Sequence, residues 1–416
     1  MVAMVVRPVA VGPVGGLEGG PGGSNPQLTP PPGLLIESPF GPTGGAVLVG
    51  AGRPRPTEGE LGLDGGVGAG GWTCHGISMP RGCITGAMSD ETGRSEAQPR
   101  YGITVPFDGV SLPDHRRWYR ELVELGYTDV WTAETDGTDG FTPLALAAAW
   151  EPELRLGVAI IPAYTRGPAL LAQSVASMAE AAPGRFAFGL GTSSDVIVSR
   201  WNGVEFAEPY KRVRDTIRFL RSALAGEKID HEYDTFTVRK FKLSRPVADP
   251  PPIFLAALRP GMLRLAGREA DGAIINWLSA EDVATVVPEI EADIPVAARI
   301  FVCPSEDLDL VRTVGRRMIA AYLNVGVYAE FHRWLGRGPA LEPMWEAWQA
   351  GDRARALEVI PDEVVDSLLI HGSYDECRRH IGRYVANGVD IPVLAVIPIG
   401  VTLDEAVRGL APPWAP

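Results

Sequence analysis

Short apolar runs alternate along most of the chain with longer segments whose apolar residues recur every three or four positions. The clearest instance spans 154–194, where apolar runs at 156–161 and 186–190 flank a segment of helical spacing that begins at Pro168. Uniformly apolar runs are typical of strands buried on both faces, and the helical spacing is typical of an amphipathic helix. This stretch therefore predicts two parallel strands joined by a helix.

The alternation continues from residue 101 towards the C-terminus. Eight strands are predicted, at 102–105, 129–133, 156–161, 186–190, 253–257, 273–276, 298–302 and 393–397. Eight strand–helix repeats favour the α/β class and a single (β/α)8 TIM barrel. A doubly wound open sheet is the alternative, but it would place a glycine fingerprint for a nucleotide after the first strand. Residues 106–109 read Pro-Phe-Asp-Gly and carry no such fingerprint.

Two segments depart from the alternation and define the predicted domain limits. Residues 1–98 are rich in Gly and Pro and show little apolar periodicity, so we expect a disordered leader, or an over-long gene sequence with Met88 as the true start. The barrel is predicted to occupy 99–416. It is interrupted at about 327–360 by a helical insertion before the last strand, whose aromatic residues are expected to pack as a lid or as a dimer surface.

Composition narrows the classes of function. The chain has 38 basic and 51 acidic side chains, a net charge of −13, which argues against nucleic acid or an anionic membrane as its partner. No apolar run reaches the roughly 18–20 residues of a membrane span. The four cysteines form no CxxC pair, so we expect a cytoplasmic protein without disulfides. Cys74, His75 and Cys83 could chelate a metal, but a chance cluster is the favoured interpretation, and no metal site is predicted.

Candidate chemistry lies where the predicted strands end, because the active site of such a barrel is built at those ends. Glu134 follows the second strand, a Gly-rich turn with hydroxyl side chains follows the fourth, and Arg259 precedes a predicted helix after the fifth. The N-terminus of a helix presents free N–H groups and partial positive charge, so this turn is predicted to bind phosphate. A surface loop with Arg259 in a salt bridge is the alternative.

As a set, these motifs resemble the luciferase-like monooxygenase superfamily, in its branch that depends on the deazaflavin coenzyme F420. The resemblance runs from about residue 101 to 398 and is carried by Leu156-Gly157, Pro162 to Arg166, Pro168-Ala with Leu171-Ala-Gln173, Gly184-Arg-Phe186 and Gly189-Leu-Gly-Thr-Ser-Ser194. It implies a coenzyme F420 site, with FMN as the alternative cofactor. The implied cofactor-binding residues are Glu134, Thr135, Ala159, Ile160, Gly191, Thr192, Ser193, Ser194, Ala256, Ala257, Leu258, Arg259 and Asn276.

Several of these assignments have a structural alternative. Glu134 is also the candidate catalytic residue, as a proton carrier, but it would equally cap a helix or pair with an arginine. Thr192, Ser193 and Ser194 would bind the ring or merely cap the next helix. Relatives often carry His after the acidic residue where this chain has Thr135, which leaves no obvious general base and speaks against sugar-phosphate dehydrogenase activity. His115 is expected to be solvated.

The resemblance also implies a cis peptide between Ala159 and Ile160, with Ile160 supporting one face of the ring. The predicted function is hydride transfer between coenzyme F420 and an organic small molecule whose identity the sequence leaves open. One rival function is a monooxygenase that uses reduced FMN. The other is a barrel that binds the deazaflavin without turnover. A homodimer remains among the partners to be tested.

Overall fold

The computed structural model of the chain describes residues 100–414. The predicted leader, the alternative start at Met88 and the Cys74–His75–Cys83 group lie outside the described residues. No helix between residues 100 and 414 has both the length and the hydropathy that crossing a membrane requires.

Eight parallel strand positions close into a barrel, as predicted. Around the barrel the strands follow in the order β12, β1, β2, β3, β5, β8, β9 and β10, and β10 pairs again with β12. The short β4 continues the position of β3 and pairs with β5. The barrel strands are β1 (Gly102–Thr104), β2 (Asp129–Thr132), β3 (Arg155–Val158), β4 (Ile161–Pro162), β5 (Phe186–Gly191), β8 (Ile253–Ala256), β9 (Gly272–Asn276), β10 (Val296–Cys303) and β12 (Ile391–Val396).

Helices cover the outside of the barrel, as the predicted strand–helix repeats require. The helices are α1 (His115–Glu124), α2 (Thr142–Trp150), α3 (Pro168–Ala181), α4 (Pro209–Leu224), α5 (Pro260–Glu269), α6 (Ala280–Val286), α7 (Leu308–Leu323), α8 (Gly326–Trp334), α9 (Gly338–Gln349), α10 (Arg353–Glu358), α11 (Asp362–Leu368), α12 (Tyr374–Ala386) and α13 (Leu403–Gly409). A π-helical turn, Val196–Trp201, and a 3₁₀ turn, Val287–Ile290, complete them.

The insertion, a short strand within it and a hairpin after α4 are additions to the eight strand–helix repeats. Between β10 and β12 the chain forms α7 to α11 and a short strand, β11 (Ile370–His371), which pairs with β10. Phe331 and Trp345 of this region are buried, and Trp345 donates from Nε1 to the Leu323 carbonyl oxygen at 2.8 Å. After α4, β6 (Ile229–Glu232) and β7 (Thr237–Phe241) form an antiparallel hairpin.

The third predicted strand, 156–161, is divided in the structure. It consists of β3 and β4, with a cis peptide bond between Ala159 and Ile160, as the resemblance implied. The inside of the barrel is filled closely at this level, since a Cβ atom added to Gly157 would lie 2.3 Å from the ring of Trp131. That contact requires glycine at position 157.

The expectation that His115 is solvated is wrong. Its side chain is fully buried, its Nε2 accepts from the Phe107 N–H at 2.8 Å, and its Nδ1 donates to the Ser111 carbonyl oxygen at 2.8 Å. Burial lowers the pKa of His115, so the neutral ring holds the loop after β1. Helical periodicity alone did not reveal this position, because the loop itself folds over this side of α1.

Candidate active site

A cavity of about 780 Å³ opens at the C-terminal ends of β5, β8 and β9. Its remaining walls come from the start of α4, the start of α5 and the helices α7 and α8. A barrel mouth is where enzymes of this architecture place their active sites. Nine of the predicted residues line this cavity: Ile160, Gly191, Thr192, Ser193, Ser194, Ala256, Leu258, Arg259 and Asn276.

Four predicted residues do not line the cavity. Glu134 and Thr135 lie in the loop after β2, and Ala159 lies against the barrel interior with Trp131 and Arg299. Ala257 is buried, and its N–H donates to the Ile274 carbonyl oxygen at 2.9 Å. The structure thus brings the residues after β5, β8 and β9 together around the cavity, whereas Glu134 lies beside it, where its N–H donates to the Ile160 carbonyl oxygen at 3.4 Å.

One wall of the cavity is apolar and closely packed. Ile160, Gly191 and Ala256 lie side by side there, and Ile160 is buried. A Cβ atom added to Gly191 would lie 2.9 Å from Ile160 Cγ1 and 3.2 Å from Ala256 Cβ. Glycine therefore keeps this wall free of a protruding side chain, which suits a flat ligand.

The turn after β5 exposes polar atoms to the cavity. Ser193 adopts a left-handed backbone conformation, with φ of 61°, and its buried Oγ has no hydrogen-bond partner among residues 100–414. Thr192 donates to the carbonyl oxygen of Ser193 at 3.3 Å, while Ser194 Oγ accepts from the Ile197 N–H at 3.4 Å, at the start of the π-helical turn. Ser194 therefore caps the next turn, whereas Ser193 keeps an unused hydroxyl.

The N-terminus of α5 forms a second polar end of the cavity. Arg259 is the residue that precedes the helix, and it gives the helix no side-chain cap. Its side chain is solvent-exposed and makes no ion pair with any residue of the described part of the chain. Pro260, Gly261 and Met262 of the first turn line the cavity beside it. An uncommitted guanidinium next to a helix N-terminus is an arrangement that attracts phosphate.

A buried polar pair also belongs to the cavity lining. Asn276, at the end of β9, donates from Nδ2 to the hydroxyl oxygen of Tyr328 on α8 at 3.1 Å. Burial raises the pKa of Tyr328 to about 12. The sequence analysis identified Asn276 but missed Tyr328, whose position in an aromatic-rich insertion gave no sign that it faces the strand end.

Behind this pair lies a layer of aromatic rings. Trp277 packs on Phe301 and Tyr322 with ring centroids 4.3 and 4.8 Å apart, and Tyr322 lines the cavity. The guanidinium of Arg299 lies 5.1 Å from the Phe301 ring centre. Burial raises the pKa of Tyr322, and the nearby Arg299 partly opposes this rise. Arg299, Phe301 and Tyr322 were not predicted, because they converge from β10 and α7.

Glu134 pairs with an arginine, one of the two structural alternatives left open above. Its Oε1 and Oε2 accept from Arg166 at 2.5 and 2.7 Å, and its Oε2 also accepts from the Gly140 N–H at 3.0 Å. Both side chains of the ion pair are largely buried. The carboxylate therefore joins the loop after β2 to the loop after β4.

Comparison with known proteins gives the family. Residues 87–390 match the luciferase-like monooxygenase family. The 5,10-methylenetetrahydromethanopterin reductase of Methanolobus tindarius is 28% identical over 325 residues, which cover 74% of this chain and 97% of that protein.

Solved structures give the fold. The coenzyme F420-dependent tetrahydromethanopterin reductase of Methanopyrus kandleri superposes with a TM-score of 0.63 at 21% identity, covering 76% of this chain and 98% of the other. The oxygenating component of 3,6-diketocamphane monooxygenase of Pseudomonas putida, in complex with FMN, gives 0.51 at 17% identity, covering 76% and 97%. With the family match extending over well more than half of its length, the chain belongs to the luciferase-like monooxygenase family.

Proposed function

We propose that this protein is an oxidoreductase that transfers a hydride between coenzyme F420 and an organic substrate in the cavity at the barrel mouth. One observation carries the proposal: the flat wall of Ile160, Gly191 and Ala256 adjoins a helix N-terminus with an uncommitted arginine. A planar ring on a phosphate-bearing side chain needs both features in one cavity. Relatives that are named as coenzyme F420-dependent enzymes, 25% and 23% identical to this chain, support the same choice.

The residues present fit such a coenzyme. Gly191 leaves the wall without a side chain where a ring would lie, and Ser193 offers a buried hydroxyl that is unused within the described residues. The N-terminus of α5 with Arg259 would hold the phosphate. When bound, the deazaflavin supplies the hydride chemistry, while the protein supplies orientation and electrostatics.

Glu134 has a positioning role in this proposal. Its two oxygens are committed to Arg166 and the Gly140 N–H, so the carboxylate holds two loops of the barrel mouth together. Ala159 and Ala257, which were predicted with the coenzyme set, are adjacent in sequence to the lining residues Ile160, Ala256 and Leu258, while Thr135 lies in the loop after β2. The cavity wall itself carries the coenzyme contacts.

A titration of the purified protein with coenzyme F420 and, separately, with FMN tests the proposal. We expect saturable perturbation of the deazaflavin absorbance and much weaker binding of FMN. Tight binding of FMN alone would support the monooxygenase function of the relative from Pseudomonas putida, which was solved with FMN. Binding of coenzyme F420 without oxidation or reduction of any of a broad panel of alcohols, ketones and imines would support the non-catalytic alternative.

A further inference from the structure

An exposed stripe on α1 carries charges that no described residue neutralises. Arg117, Arg120 and Glu124 recur at a spacing of three and four positions, so they share one face of the helix. All three are solvent-exposed, and none of them forms an ion pair with a residue between 100 and 414. Arg117 is partly held in place, because its guanidinium lies 5.1 Å from the centre of the Trp118 ring. The stripe therefore offers two cations and one carboxylate to a partner.

These charges oppose the dipole of their own helix. A helix favours acidic residues near its N-terminus and basic residues near its C-terminus. Helix α12 follows this rule, with Asp375 and Glu376 in its first turn and Arg383 in its last turn. In α1 the order is reversed, since Arg117 lies in the first turn and Glu124 ends the helix. A partner that brings charges in the opposite order would compensate the dipole of α1.

A groove beside the stripe contains both signs of charge. It has a volume of about 1130 Å³ and is bounded by α1, the end of α2 and α13. Arg408 on α13 is paired there with Glu121 and Asp404. The charged lining residues that form no ion pair within the described chain are Asp114, Arg116, Arg117, Arg120, Glu124 and Glu151. Because three of these are basic and three acidic, the surface suits a partner that also carries both signs of charge.

We propose that this face of α1 binds the same face of a second copy of the chain, with the two α1 helices antiparallel across a two-fold axis. A contact of this kind forms every pair twice, once on each side of the axis. With the axis beside Glu121, Glu124 of each copy lies at the level of residue 118 of the other copy. The carboxylate then stands between Arg117 and Arg120 of that copy, so all six charges of the two stripes find opposite charges.

The antiparallel arrangement also compensates both helix dipoles. Glu124 of one copy comes close to the N-terminal half of the other α1, and Arg117 comes close to its C-terminal half. A parallel arrangement would place arginine against arginine and glutamate against glutamate, which is repulsive. The net charge of −13 opposes contact between two copies in general, so local complementarity has to select the face that they use.

Sedimentation of the full-length protein over a range of concentrations tests the contact. We expect a monomer–dimer equilibrium whose dissociation constant rises with the concentration of sodium chloride, because the paired charges lie at the surface. Arg117→Glu together with Arg120→Glu should raise the dissociation constant roughly tenfold or more, since carboxylates then face carboxylates. Glu124→Arg should weaken the dimer in the same way, because arginines then face arginines.

The three changes combined give the decisive variant. They restore opposite charges at every pair, so the dissociation constant should return to within about threefold of wild type. Lys242→Glu together with Arg379→Glu is the matched control for the arginine variant. It reverses two exposed charges, after β7 and on α12, that form no ion pair with any residue from 100 to 414. The control should keep the dissociation constant within about twofold, because these charges are far from the contact.

Three results would overturn the inference. One is a wild-type protein that stays monomeric up to its limit of solubility. Another is a dimer that the α1 variants and the control affect alike, since its interface would then lie on a different face. The third is a combined variant that remains as weak as its parents, because the two stripes would then not oppose one another. None of these measurements uses the coenzyme, so their outcome is independent of the proposed function.

Discussion

Two polar pairs lie near the barrel mouth, and they differ in how completely they are satisfied. In the first pair, both oxygens of Glu134 accept from Arg166 and a backbone N–H adds a further bond. In the second, Asn276 and Tyr328 share a single bond and leave a donor and an acceptor unused within the described chain. A pair that satisfies itself stabilises the fold, whereas a pair with unused hydrogen-bonding groups has capacity for a further partner, such as a ligand or an ordered water.

The largest expected effect comes from breaking the satisfied pair. Glu134→Ala leaves the largely buried guanidinium of Arg166 without a carboxylate, and we expect a loss of about 2–4 kcal/mol in the free energy of unfolding. Denaturant titration measures it. Glu232→Ala is the control, because the Arg239–Glu232 pair at 3.1 Å is exposed and should contribute less than about 1 kcal/mol. Equal losses for both variants would contradict the distinction between the two pairs.

A second effect concerns the affinity for coenzyme F420 and leaves the free energy of unfolding nearly unchanged. Arg259→Ala should weaken coenzyme F420 binding by about 1.5–3 kcal/mol, the range for a hydrogen bond to a charged group. Its effect on unfolding should stay within about 0.5 kcal/mol, because the side chain is exposed. A coenzyme fragment that lacks the phosphate should bind wild type and variant alike. Equal losses for the fragment and the whole coenzyme would show that Arg259 acts through the fold.

A third effect tests the apolar cavity wall formed by Ile160, Gly191 and Ala256. Gly191→Ala places a Cβ atom 2.9 Å from Ile160 Cγ1, an overpacking contact worth about 1–3 kcal/mol in stability. Its coenzyme affinity should fall as well, because a side chain enters the wall. The double variant with Ile160→Ala makes room for the new methyl group and should recover part of the stability. An additive double variant would mean that the two residues do not press on one another.

The last effect is a pH dependence of stability, and it arises on the insertion side. His332 is fully buried on α8, and its pKa is lowered to about 3 by burial, with Arg337 contributing in the same direction and Asp282 opposing. The unfolded chain takes up this proton near pH 6.5 and the folded chain does not. Stability from this group is therefore lost as the pH falls below 6.5, at about 1.4 kcal/mol per pH unit. His332→Phe should flatten the unfolding profile between about pH 6.5 and 5, and an unchanged slope would contradict the assignment.

The barrel and much of the cavity could be predicted from sequence because both follow from local patterns. Strand ends in a parallel barrel meet at one face, so the residues after β5, β8 and β9 were correctly grouped. The cis bond at Ala159–Ile160 was also foreseen, although only through the family resemblance.

What escaped prediction depends on contacts between distant segments. Tyr328 meets Asn276 across 52 positions of sequence, and Glu134 meets Arg166 across 32. No periodicity encodes which arginine a carboxylate will find, or which aromatic residue of an inserted helix will turn to a strand end. His115 shows the same limit at short range, since a loop eight residues away covers it.

The excursion between β10 and β12 has a consequence for how such an enzyme can diversify. Tyr322, Tyr328 and Trp334 reach the cavity from this one continuous stretch, whereas Gly191, Ala256 and the start of α5 belong to the repeating body of the barrel. If this stretch were exchanged as a block for that of a relative, the part of the cavity lining that it supplies would change. The strand ends and the start of α5 would keep their contacts with a bound coenzyme. A new preference among substrates could then arise by a single recombination event.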